Sequence, residues 1–104
     1  MLIPDALLEE AARRFALLGD PTRLRILRTL HESGEASVGH VAELAGIGRS
    51  NLSQHLALLA AAGLVSRRRE GSMVYYHVAD ATIGQLCDLV CTSLRTRARQ
   101  LVTS

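Results

Sequence analysis

Residues 41–78 read VAELAGIGRSNLSQHLALLAAAGLVSRRREGSMVYYHV. Gly46 and Gly48 flank Ile47 and interrupt an otherwise helical apolar pattern. Two glycines permit a sharp reversal, and Ile47 can plug the corner between the flanking helices. The segment before the turn, 38–45, is expected to be a helix that faces Val41, Ala42 and Leu44 inward, with Ser37 as its cap. The segment after it, 49–62, places Leu52, Leu56 and Leu59 on one helical side and stops at Gly63. Leu64–Arg69 and Met73–Val78 then alternate as two antiparallel strands around the tip Glu70-Gly71-Ser72. The stretch is therefore a helix, a tight turn, a second helix and a hairpin that carries Arg67, Arg68 and Arg69.

Working outward, residues 5–18 predict a first helix capped by Asp5, with an apolar stripe of Leu7, Leu8, Ala11, Ala12, Phe15 and Leu18. Gly19 stops it. Asp20-Pro21 restarts the chain as N-cap and first helical residue. The second helix, 21–33, is expected to bury Leu24, Ile26, Leu27 and Leu30, and Ser33-Gly34 ends it. Ala36–Val38 reads as a short extended piece. Asp80 caps a last helix over about 81–101, where Ile83, Leu86, Leu89, Val90 and Leu94 are apolar.

The chain has 104 residues, which argues for one domain. Apolar residues make up 48% of it, but only three are aromatic, so the core must be aliphatic packing between helices. That apolar content exceeds what so small a core can bury, which points to a second covered surface, a homodimer interface. The net charge is only +2, so the position of charge matters more than its sum. All twelve basic residues are arginine, whose planar donor fork suits phosphate and guanine. The opening residues MLIPDALLEEAARR lack the charged-then-apolar order of a secretory leader, and no apolar run is long enough to span a membrane. A cytoplasmic location is expected, where Cys87 and Cys91 would be reduced. No phosphate loop or nucleophile–base arrangement is visible, so an enzyme is not expected.

A DNA-reading helix presents short polar side chains and arginine at its N-terminal end, where base edges lie in the major groove. Here that end is Arg49-Ser50-Asn51-Leu52-Ser53-Gln54. Arg49 can pair with guanine, Asn51 or Gln54 with adenine, and Ser50 and Ser53 with phosphates or bases. His55 is expected to turn partly inward. Arg67, Arg68 and Arg69 follow at the distance a wing requires, to contact phosphates or enter the minor groove. The expected architecture is a winged helix-turn-helix, mainly α with a small β wing. The helix-turn-helix occupies 38–62 and the wing 64–78.

The chain resembles the ArsR/SmtB family of bacterial transcriptional repressors over nearly its whole length. The matching pieces are Leu18-Gly19-Asp20-Pro21-Thr22-Arg23-Leu24-Arg25-Ile26-Leu27, Ser53-Gln54-His55-Leu56 with Leu59, Ala62-Gly63-Leu64-Val65, Arg68-Arg69-Glu70-Gly71 and Tyr75-Tyr76. The resemblance implies an α1-α2-α3-α4-β-β-α5 chain, a homodimer built on the first and last helices, binding to a palindromic double-stranded operator, and release when an inducer binds. The inducer is usually a metal or metalloid ion, sometimes an oxidant or a sulfur species. The family's arsenic and cadmium type carries Cys-Val-Cys at the third helix, where this chain has Ser37-Val38-Gly39. Its zinc type uses Asp-x-His and two further ligands on the last helix. Here Asp80 is retained, but Thr82, Ser93 and Thr96 stand at the other positions, and none is a usual zinc ligand.

Cys87 and Cys91 are spaced i, i+4 and share one helix face. Three readings stay open for them. Soft thiolates can bind a transition-metal or metalloid ion, with four thiols meeting across a two-fold axis. They can act as a redox switch between protomers, since a disulfide within one helical turn has poor geometry. Or they can pack as small apolar residues, leaving a regulator without a small-molecule sensor. His31 and His40 lie at helix ends that could approach each other, and His77 reads as a packing residue.

Overall fold

A computed structural model of the chain describes residues 1–103. The elements run α1 (Asp5–Leu18), α2 (Pro21–Ser33), β1 (Glu35–Ser37), α3 (Val38–Ala45), α4 (Arg49–Ala61), β2 (Val65–Glu70), β3 (Met73–Val78) and α5 (Thr82–Thr103). Local chemistry sets most boundaries. Asp20 accepts from the Arg23 N–H and Pro21 occupies the first turn of α2. Ser37 Oγ accepts from the His40 N–H at the start of α3. Gly46 ends α3 in the left-handed conformation, with φ 67° and ψ 38°, a region that disfavours residues with a Cβ.

Three strands form one antiparallel sheet in the order β1-β3-β2. Val65 pairs with Val78 at one end of the hairpin and Glu70 with Met73 at the other. β1 adds Glu35 opposite His77 and Ser37 opposite Tyr75. Ser37 is thus both the end of a strand and the cap of a helix, so the hairpin is tied directly to the start of the helix-turn-helix. β1 takes up Glu35–Ser37 rather than Ala36–Val38, because Val38 already lies in α3. Leu64 stands before the hairpin, completely buried, and donates its N–H to Leu59 while accepting from Ala79.

Ile26, Leu30, Val41, Leu52, Leu56, Leu59 and Leu64 are fully excluded from solvent and form the centre of the core. Leu18, Leu27, Ala36, Val65, Tyr76 and Ile83 close it. Two expected core residues lie outside it. Leu24 is 39% exposed and lines a groove between α2 and α5, and Leu44 is 57% exposed because α3 turns Val41 and Ala45 inward, an i, i+4 pair. Asp5 is not the cap of α1. Pro4 holds that position without a side-chain bond, and Asp5 is the first helical residue, where its charge opposes the positive helix end.

Most of the apolar stripe of α1 and α5 finds no cover among the described residues. Leu18 and Ile83 are buried, but Leu7, Leu8, Phe15, Leu89, Val90, Leu94 and Leu101 are exposed, Leu89 at 69%. A stripe this apolar and this open on a small chain is what a second copy covers.

Candidate nucleic-acid interface

α4 is held by its Leu52, Leu56 and Leu59 side, all fully buried. That orientation turns Arg49, Ser50, Asn51, Ser53 and Gln54 outward together on the first turn and a half. Gly48 provides no side-chain cap, and among the described residues no side chain caps the first N–H groups of α4. Among the described residues, those five outward side chains make no hydrogen bond or ion pair. Their donors and acceptors are free for an external partner. His55, next on the helix, is half-buried and accepts from Arg23 Nε through Nδ1 at 3.3 Å. Arg23 also donates to the Leu17 carbonyl, so it serves the interior rather than the surface.

Arg49 does not project straight out. Its guanidinium lies across Gly39, on the first turn of α3, where an ideal Cβ would sit 2.5 Å from Nη2. It borders a groove of about 890 Å³ between the start of α3, the Gly46–Gly48 turn and the hairpin residues Ser72, Met73 and Val74.

The three wing arginines, alike in sequence, divide in the structure. Arg67 and Arg69 are exposed and make no ion pair among the described residues. Arg68, on the opposite face of β2, grips Glu35 through Nη2 at 2.7 Å and Nε at 3.2 Å, and Glu70 through Nη1 at 2.7 Å. Its guanidinium also stands over the Tyr75 ring, 4.9 Å from the centroid. Donating to Glu35 and then to Glu70 raises the Arg68 pKa, and the bond from Arg68 holds the Glu35 carboxyl below its ordinary range. Arg68 therefore ties the wing to β1, with its charge already met by two carboxylates.

Sequence reasoning missed a second tie. Arg14 of α1 donates to Asp80 Oδ2 at 2.8 Å and to the Ala62 carbonyl at the end of α4 at 3.2 Å. Asp80 in turn caps α5 by accepting from the Thr82 N–H and hydroxyl. Those two bonds, followed by Arg14, depress the Asp80 pKa. The carboxylate that matches the family's zinc pattern is thus committed to a helix cap. No local pattern signals the tie, because Arg14 and Asp80 lie 66 positions apart.

Cys87 and Cys91 are both free thiols on α5. Cys87 is half-buried in the groove between α2 and α5, and Cys91 is exposed. Burial, then the neighbouring Cys91 and Asp88, push the Cys87 pKa up. His31 and His40 line different grooves. The His31 ring rests against Gly84 of α5, and it borders the same groove as the two cysteines. No group of three or more metal-ligating side chains gathers among the described residues.

A buried-backed helix with a free polar N-terminal face, a tight two-glycine turn and an arginine hairpin define a winged helix-turn-helix. A family model described as a helix-turn-helix domain matches residues 18–68. The biofilm growth-associated repressor of Xylella fastidiosa is 36% identical over 88% of this chain and 79% of its own length. A probable mercury resistance operon repressor of Streptomyces lividans is 38% identical over 75% of this chain and 62% of its own. The solution structure of a homodimeric winged helix-turn-helix DNA-binding domain from Mycobacterium bovis, described as a possible ArsR-family transcriptional regulator, superposes with a TM-score of 0.79. It is 33% identical and covers 94% of this chain and 93% of that one. The chain belongs to the ArsR/SmtB family of winged helix-turn-helix transcriptional regulators.

Proposed function

We propose that this chain is a homodimeric, sequence-specific repressor whose grip on DNA is loosened by a soft metal or metalloid ion at Cys87 and Cys91. The observation that carries the DNA-binding reading is the free polar face of Arg49, Ser50, Asn51, Ser53 and Gln54, backed by three fully buried leucines. In the proposed division of the chain, residues 38–62 enter the major groove and the wing, 64–78, follows the backbone, while 5–18 and 81–101 join the protomers. An isologous dimer places its two reading helices on half-sites about 34–36 Å apart, so the operator is palindromic.

Within one protomer the two thiols offer only two ligands, so an ion completes its shell across the two-fold axis from the partner's copy of α5. The resemblance to a mercury resistance repressor supports a thiophilic ion. Ion binding needs thiolates, and the raised pKa of Cys87 means its proton leaves on binding. A shift of α5 reaches the reading helix through Arg14, which joins α1, the α5 cap and the last turn of α4. Release requires only that the ion favour the arrangement that fits DNA poorly. The protein acts by binding, and no helix among the described residues is long and apolar enough to cross a membrane. We place its action in the cytoplasm.

Fluorescence anisotropy on duplex DNA from upstream of its own gene tests both parts. The protein should retard that duplex and lose it with Hg(II), Cd(II) or Sb(III), and Cys87→Ser should bind DNA normally while ignoring the ion. Release by an oxidant alone, reversed by dithiothreitol, would replace ion sensing with thiol redox. Tight binding indifferent to all of them would make the cysteines packing residues.

A further inference from the structure

We infer that Gly39 is a positioning residue for Arg49: its missing side chain is the seat that fixes the guanidinium at the DNA-facing surface. This rests on the reading that Arg49 touches DNA. Glycine in a helix costs stability relative to alanine, so a helical glycine needs a reason. Gly34, Gly46, Gly63 and Gly71 have positive φ and explain themselves by backbone conformation. Gly39 does not. It is the second residue of α3 and its φ lies outside that range.

What Gly39 does provide is space. An ideal Cβ would meet Arg49 Nη2 at 2.5 Å, Cζ at 3.3 Å and Nε at 3.8 Å, so the three heavy atoms nearest to it outside the local backbone all belong to one guanidinium. The whole guanidinium edge lies where a side chain would begin. Arg49 makes no hydrogen bond or ion pair among the described residues, so this steric seat is what the structure offers to hold it. Arg49 lines the groove between the turn and the hairpin tip together with Ser72 and Met73. A long flexible side chain held ready loses less freedom when it binds.

Adding one methyl group displaces the end of a flexible side chain rather than backbone, so Gly39→Ala folds. Higher helix propensity should leave its thermal midpoint equal to or above that of the parent. Its affinity for DNA should nevertheless fall, by about three- to tenfold, the range expected for restoring freedom to one immobilised side chain. No ordinary stability effect predicts that combination.

The experiment is a double-mutant cycle of Gly39→Ala and Arg49→Ala. Each variant is titrated against a labelled duplex enriched in vitro by the parent protein and against a scrambled duplex of equal length. We expect each single variant to weaken binding and lose discrimination, and Gly39→Ala to add nothing once Arg49 is alanine. If Arg49→Ala is weakened but Gly39→Ala binds like the parent, the positioning role is wrong and the reading of Arg49 stands. If Gly39→Ala costs the same with or without Arg49, glycine acts through something else. If Arg49→Ala binds and discriminates normally, the recognition-helix reading fails and this inference with it.

Discussion

Leu94→Ala should raise the dissociation constant of the dimer about a hundredfold. Leu94 lies on the open stripe of α5 and is 59% exposed in the single chain, so its burial depends on a partner. Truncation to alanine deletes about three carbon groups, each worth ~0.8 kcal/mol when buried. Scaled by its 59% exposure, the loss is ~1.4 kcal/mol per protomer if the partner covers it fully. In an isologous interface the substitution occurs twice, giving ~2.8 kcal/mol, or about two decades in the dissociation constant. Sedimentation equilibrium across a concentration series measures it. Circular dichroism should show an unchanged helical fold, because Leu94 is not part of the core. Leu44→Ala is the control: it is similarly exposed at 57% but lies on α3, away from the stripe. An unchanged constant for Leu94→Ala, or an equal rise for Leu44→Ala, would refute the assignment of the interface to α1 and α5.

Three further predictions concern charge and thiols. Arg67→Ala and Arg69→Ala should each make the salt dependence of DNA binding shallower, by up to about 0.9 in log–log slope for each phosphate contact removed. Arg68→Ala should leave that slope nearly unchanged, because Glu35 and Glu70 already meet its charge, and a slope loss equal to that of Arg69→Ala would show that Arg68 is a phosphate contact after all. Asp80 and Glu35 both have depressed pKa values in the folded chain, so their stabilising contributions are complete above the unfolded carboxylate range and vanish as pH falls through the lower folded values. Thermal midpoints of Asp80→Asn and of the parent should therefore differ at pH 7 and converge in strong acid; a gap that persists at low pH would exclude these charges as its cause. Cys87 should react with iodoacetamide more slowly than Cys91 at pH 8, since burial disfavours its thiolate and Cys91 is exposed; peptide mass mapping after a short pulse that finds Cys87 labelled first would contradict this.

Much of the molecule is legible in local sequence because its causes are local. Asp20-Pro21, Ser37 and the Gly46–Gly48 turn specify their helix boundaries through hydrogen bonds and backbone conformation reaching no more than a few residues. The spacing of Leu52, Leu56 and Leu59 determines which side of α4 is buried, and thereby which five side chains face outward. Two of the misplaced residues fall where helical periodicity cannot say how far a neighbour reaches. Leu24 and Leu44 are apolar at suitable spacing, but the core closes over Ile26, Leu27, Val41 and Ala45 instead.

Only the tertiary structure separates Arg68 from Arg67 and Arg69, because its partner Glu35 lies 33 positions earlier and meets it through the β1–β3–β2 pairing. The same holds for Arg14, which the fold brings to Asp80 and Ala62, and for Gly39, whose empty volume is filled by a residue on the next helix. Sequence alone determines most of the elements, the outward polar face of α4 and the family, since period, caps and turn chemistry are properties of neighbouring residues. Which arginines stand unpaired and which are held by carboxylates depends on distances between segments remote in the chain, and folding decides those.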